Sequence, residues 1–204
     1  MKEYKNWAKW TLHHTWVISV SYLISIIVLL SIHGSFGFTM NDEGTYLSNT
    51  LMHIGSGAIL AFGTGILQKQ LLQKHFRVSF NWVWALIIGF ITAELLAGIV
   101  LWEMGIYRGL INIFNNLNHL PEAAIFAFAG LFSGILQFRL LRNYYKRRVY
   151  WIVASTFGWG ILILSTYLGL FAFLLGAFFY GIITGFVFDF ILIEKNQNKD
   201  GIKD

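Results

Sequence analysis

Few residues in this chain could carry chemistry, and most of them fall inside apolar runs. Glu94 is the only charged residue between Arg77 and Glu103. An ionisable group in such a run is costly to keep charged, so it is either a proton or cation site, or a protonated carboxyl bonded across a helix interface. His33, His53, Glu103, His119 and Glu122 form a second group. Each stands at or near the same end of an apolar stretch as Glu94. Histidine and glutamate carry protons and ligate metals. Together the six are the candidate proton or substrate site. The structural alternative is a hydrogen-bonded cluster that locks helices together. No His-x-x-x-His or Glu-x-x-His spacing occurs, and Glu122 follows Pro121, where a carboxylate is ordinary in the first turn of a helix. No metal or cofactor is therefore expected, and no catalytic residue is assigned. The chain has no Cys, which removes disulfides, thiolate zinc sites and cysteine nucleophiles. It has no Gly-x-Ser-x-Gly elbow, phosphate-binding loop or His-Glu-x-x-His either.

The elements that would position these groups are long and apolar. Hydrophobic residues make up 56% of the 204 residues and charged residues 12%. Six stretches approach the ~20 residues needed to cross ~30 Å of hydrocarbon: Trp16–His33, Leu51–Leu67, Trp82–Leu101, Ala123–Leu141, Trp151–Leu168 and Leu170–Ile193. The last two are read as a hairpin turning near Gly169. All basic residues except Arg108 fall in alternate connecting segments, and Asp42 and Glu43 fall in the other set. By the positive-inside rule both termini are cytoplasmic, in a bacterial inner membrane. The net charge of +5 then reads as Lys and Arg loops facing anionic lipid, not as nucleic-acid binding. Trp7, Trp10, Trp82, Trp84 and Trp151 fall at the inner edge and suggest an aromatic belt. The first span has no cleavage site after it and is expected to be retained. Ile106–Leu120 is too polar to span. Its apolar spacing suits a helix lying on the outer surface, and a plain loop fits as well.

One phrase is written twice. "GILQKQLLQKHFRVSFNW" starts at Gly65, and "GILQFRLLRNYYKRRVYW" starts at Gly134. Ala58, Gly65, Ile66, Leu67, Gln68, Leu71, Leu72, Trp82, Ala85 and Gly89 all recur 69 residues later. Each copy is one helix running inward, a basic loop and one helix running outward, which makes a parallel repeat. The units are about 54–101 and 123–168. A split third unit, 170–193 plus 10–33, is suggested by two echoes. Gly181 and Gly185 in "GIITG" echo Gly130 and Gly134, and "WTLHHT" at Trp10 echoes "WIVAST" at Trp151. Small residues four apart let helices approach closely in lipid. Gln68 and Gln137 are expected to bond loop backbone or headgroups at the inner interface, or else to line an inward-facing vestibule as a pair. His13 and His14 are expected to be headgroup contacts, and Asp189 is expected to pair with Lys or Arg.

The stretches "GLFSGILQFRLLR", "YWIVASTFGWG" and "FYGIITGFVFDFIL" resemble a group of uncharacterised small bacterial multi-span membrane proteins. Their pattern is Gly-x-x-x-Gly-x-x-Gln-Trp-x-x-Leu-Arg, then a basic stretch, then Trp-x-x-Ala-(Ser/Thr)-x-x-Gly-Trp. The likeness covers Ala123–Ile193 well and Ile54–Phe90 loosely. Phe138 stands where the group has Trp, as does Lys69 in the first copy. The resemblance implies a helical membrane fold and brings no activity.

These features predict an all-α, six-span bundle with an internal parallel helix-hairpin repeat. The expected function is non-enzymatic: a scaffold or accessory subunit acting with another protein or a second copy. A small proton-coupled transporter or channel using Glu94 is the main alternative. A lipid-modifying enzyme built on the outer His and Glu residues is a third.

Overall fold

The computed structural model describes residues 5–36, 45–75, 77–97, 120–141, 149–166 and 168–200. These residues form six α-helices, and there is no strand among them: α1 Lys5–Phe36, α2 Thr45–Gln73, α3 Asn81–Leu96, α4 Leu120–Leu140, α5 Val149–Thr166 and α6 Leu170–Asp200. They follow the six apolar stretches in order. The lone Pro, Pro121, sits in the first turn of α4, where its missing N–H leaves no helical bond unmade. The turn expected near Gly169 is present. Gly169 has φ +99°, a backbone conformation that favours glycine, and its N–H closes on Thr166 O at 3.2 Å.

The main contacts run α1–α2–α3–α4–α5–α6 and back to α1, so the helices close into a ring. The ring is apolar on its outside. Leu12, Trp16, Leu23, Ile27, Phe62, Trp84, Phe128, Phe157, Phe171 and Phe186 are all exposed around it. Its interior is mixed. Thr11, His14, Ser21, Thr64, Gln68, Ser133, Gln137, Ser155 and Thr184 are buried among aromatic and aliphatic side chains. In water such a perimeter would drive aggregation, whereas in lipid it is the ordinary outer face of a bundle. Trp7–Val28, Ala123–Leu140, Val149–Thr166 and Phe171–Phe190 are each long and apolar enough to cross a membrane. Asn81–Leu96 is apolar and shorter, and α2 has 29 residues. The chain is a helical membrane protein.

Two buried clusters fill the ring. One includes Ile18, Leu60, Leu86, Phe90, Phe126, Trp159, Leu162, Phe173 and Tyr180. The other gathers Trp10, Leu72, Trp82, Leu141, Trp151 and Phe188 at one end. That end receives the starts of α1, α3 and α5 and the later turns of α2, α4 and α6. Successive helices are therefore antiparallel, and the first and last helices meet there with their chain-terminal parts.

Helix α1 begins well before the stretch Trp16–His33 read from the sequence, and α6 continues past Ile193. Hydropathy marks the slab that lipid can cover, whereas a helix continues until something breaks it. No Gly or Pro interrupts residues 5–15 or 186–200. The extra turns of α1 carry Trp10 and His14 into the bundle.

Candidate functional site

Among the described residues, the most organised polar structure is at the tryptophan end, and it starts from three close helix crossings. A Cβ added to Gly65 would lie 3.1 Å from Val83 Cα. The same atom on Gly134 would lie 3.0 Å from Ile152 Cα, and on Gly181 2.8 Å from Thr11 Cα. In each case the residue met is the one that follows a tryptophan. At Gly181 a Cβ would force the backbone to shift, and at Gly65 and Gly134 its neighbours would have to give, so glycine suits all three close approaches.

Three residues beyond each glycine, a side chain takes up that tryptophan's indole N–H. Gln68 Oε1 accepts from Trp82 Nε1 at 3.0 Å, and Gln137 Oε1 accepts from Trp151 Nε1 at 2.7 Å. Thr184 Oγ1 accepts from Trp10 Nε1 at 3.0 Å. An indole can only donate, so both glutamine oxygens must face their tryptophans, and this fixes the amide orientations. The amide nitrogens then continue the chain. Gln137 Nε2 donates to Gln68 Oε1 at 3.3 Å, and Gln68 Nε2 donates to Tyr180 OH at 3.0 Å. Thr184 closes locally by donating to Tyr180 O at 2.8 Å.

These contacts cross the middle of the ring. Trp10 meets Trp151 edge-on with centroids 6.0 Å apart, and Trp82 meets Trp151 at 5.4 Å. Helices α1, α3 and α5 are not neighbours in the ring, so their indoles touch only by spanning it. The Gln68–Gln137 and Gln68–Tyr180 bonds likewise join α2 to α4 and to α6. Three indoles and a glutamine pair therefore fill the centre at this end. Phe188 adds to the plug, stacked on Trp10 at 4.5 Å.

Several expectations are corrected here. Trp10, Trp82 and Trp151 are not an interfacial belt; they are core residues, 1%, 0% and 1% exposed. Trp84 does face outward. Gln68 and Gln137 do not bond headgroups or loop backbone. They bond tryptophans and each other, and both are buried. His14 is not a headgroup contact. It is fully buried, with Nδ1 on Trp10 O at 2.8 Å. His13 is exposed. Asp189, expected to pair with Lys or Arg, accepts the Trp7 N–H at 3.2 Å in addition to its other contacts, and this bond does not overturn that expectation. A free amide in the first turns of α1 thus gains a carboxylate from α6.

Glu94 lies on the buried face of α3, next to Ala93 and one turn beyond Phe90. It is 7% exposed and engaged with its surroundings. Its place on the helix is ~18 Å along the axis from Trp82 at 1.5 Å per residue. His33, His53 and Glu122 are helical positions of α1, α2 and α4, and their side chains lie outside the described residues. Glu103 and His119 lie outside them altogether, as does the stretch from Ile106 to His119. Among the described residues, no three His, Asp or Glu side chains come together as metal ligands would.

One signal for the indole–amide pairs was present in the sequence. Gln68 to Trp82 and Gln137 to Trp151 share the same 14-residue separation, and each pair couples an obligate donor with an acceptor. No family model, no curated protein and no solved structure matches the chain.

Proposed function

We propose that this chain is a non-enzymatic integral protein of the bacterial cytoplasmic membrane, acting as a rigid scaffold or accessory subunit. Both termini are in the cytoplasm, and the basic loops lie against anionic lipid. The likeness to small bacterial multi-span proteins agrees with this reading. The observation that carries it is the centre of the ring at the tryptophan end. Trp10, Trp82, Trp151, Gln68 and Gln137 meet there across non-neighbouring helices and spend their polar groups on one another. A permeation path needs polar groups turned toward an opening, and a catalytic site needs reactive groups left available. These five side chains, paired with one another, offer neither.

The fold is proposed to be three copies of one hairpin, the third split between α6 and α1. Equivalent glycines at 65, 134 and 181, equivalent acceptors at 68, 137 and 184, and equivalent tryptophans at 82, 151 and 10 support it. The copies agree at the tryptophan end. They differ at the opposite end, where His53 in one corresponds to Glu122 in the next, and partner or substrate contacts are proposed to lie there.

A proton-coupled transporter is the second reading, favoured by the buried carboxyl of Glu94. Proton flux into vesicles reconstituted with the purified protein separates the two. The scaffold reading expects flux no greater than in protein-free vesicles, for the wild type and for Glu94→Gln alike. A wild-type flux that Glu94→Gln abolishes would overturn it.

A further inference from the structure

Tyr180 stands where the chain of hydrogen bonds stops. Its oxygen accepts from Gln68 Nε2, and no described group receives its hydroxyl proton. Three other buried polar atoms have no protein partner among the described residues: His14 Nε2, Thr64 Oγ1 and Trp159 Nε1. All three side chains are fully buried. The His14 ring lies 5.8 Å from the Tyr180 ring, and the Trp159 ring lies 5.0 Å from it. Thr64 is one turn before Gln68 on α2 and so shares the helix face from which Gln68 bonds Tyr180. Thr11 Oγ1 is also without a partner, but it lies at the α1–α6 crossing beside Gly185 and belongs to a different place.

The roles of these atoms are complementary. A carbonyl only accepts, so His14 Nδ1 donates to Trp10 O, and Nε2 of the neutral ring is a bare acceptor. Trp159 Nε1 can only donate. Tyr180 has one proton to give. Thr64 can do either. Two donors, one acceptor and one hydroxyl are what a single water molecule satisfies, by accepting two bonds and donating two. A cation would face two N–H or O–H donors, and an anion would face the imidazole lone pair. Buried polar atoms left without partners are rare in folded proteins, and water is their usual complement.

We propose that this interior site, bounded by Tyr180, His14, Trp159 and Thr64, binds water. The water accepts from Trp159 Nε1 and Tyr180 OH and donates to His14 Nε2 and Thr64 Oγ1. It joins α1, α2, α5 and α6 through the middle of the ring. It also extends the bonded series Trp151, Gln137, Gln68, Tyr180 by one further member to His14.

Infrared spectra of the reconstituted protein in ordinary and oxygen-18 water test the site, alongside thermal unfolding. The wild type should show an isotope-shifted stretching band of confined water, and Thr64→Val, which keeps the shape and removes the hydroxyl, should shift or remove it. The same substitution should lower Tm by about 2–4 °C, and Thr64→Ser should keep both band and Tm. Absence of the band, or a band untouched by Thr64→Val, overturns the proposal. So does a Tm that Thr64→Val leaves unchanged or raises, because a hydroxyl with no partner is better replaced by methyl. Should Thr64→Val not fold while Thr64→Ser does, the hydroxyl is shown to be required, as the site demands.

Discussion

Replacing Gln68 by leucine would leave two donors aimed at nothing. Trp82 Nε1 and Gln137 Nε2 both point at Gln68 Oε1, at 3.0 and 3.3 Å, and Tyr180 would lose the amide that now donates to it. Leucine fills nearly the same volume, so the effect is chiefly polar. Interhelical bonds in membranes average ~0.6 kcal/mol and reach ~1.7, while an orphaned buried donor costs ~1–3 kcal/mol. Three lost bonds, two of them leaving orphans, give a loss of about 2–4 kcal/mol for Gln68→Leu. The cleaner quantity is the coupling with Trp82→Phe. Once Gln68 is gone, Trp82→Phe no longer breaks a bond and instead removes an orphan, so the pair should couple by about 0.6–1.7 kcal/mol. Reversible unfolding in mixed micelles, followed by helical circular dichroism, measures this without relying on tryptophan emission. Equivalent cycles on Gln137 with Trp151 and on Thr184 with Trp10 should give the same sign. Coupling within ~0.5 kcal/mol of zero for Gln68 and Trp82 would refute the network. Coupling in the first two cycles but none in the third would refute the threefold arrangement.

Gly181→Ala should destabilise by about 1–3 kcal/mol, because the new methyl meets Thr11 Cα at 2.8 Å and Thr11 O at 2.9 Å and the backbone must move. Gly185→Ala meets its nearest atom, Trp10 Cδ1, at 3.2 Å and should cost less in the same unfolding assay. Asp189→Ala should remove the carboxylate from the Trp7 amide and cost about 0.5–2 kcal/mol, seen as faster hydrogen exchange confined to the first turns of α1.

The helices were legible because apolar runs and alternating basic loops constrain them independently. The turn at Gly169 was legible because two spans needed one. Helix ends were not, since depth in lipid and length of helix are different quantities. The tryptophans show the same gap in another form. Trp82 and Trp84 lie at nearly the same depth, and depth is all that a belt argument uses. Two residues along a helix are ~200° of rotation, and that rotation buries one and exposes the other. Glu94 was found by its charge, and the structure does bury it. The groups that converge most closely are uncharged: Gln68, Gln137, Thr184, Tyr180 and three indoles. Neither hydropathy nor charge marks such residues. Only the shared spacing between donor and acceptor could have done so.

A bundle in lipid gains little from burying apolar surface, so close backbone contact and interhelical bonds must choose which helix turns meet. In the α2–α3 pair both devices specify the same alignment. Sliding α2 by one turn toward α3, ~5.4 Å, would bring Lys69 or Ala61 to the place where Gly65 meets Val83. In α4 and α6 steric fit is less decisive: Gly130 and Gly134, like Gly181 and Gly185, are one turn apart and both small, so at Thr11 glycine alone tolerates either alignment. Sequence comparison had the same ambiguity and matched Gly185 to Gly134. The structure seats Gly181 there instead, and the bond from Trp10 Nε1 to Thr184 Oγ1 explains the choice. With Gly185 at the crossing, Phe188 would face the indole, and its N–H would be buried with nothing to accept it. A single hydroxyl thus decides the alignment where two glycines leave it open, which gives a physical reason for a polar residue to stand at position 184 in a largely apolar stretch of the helix.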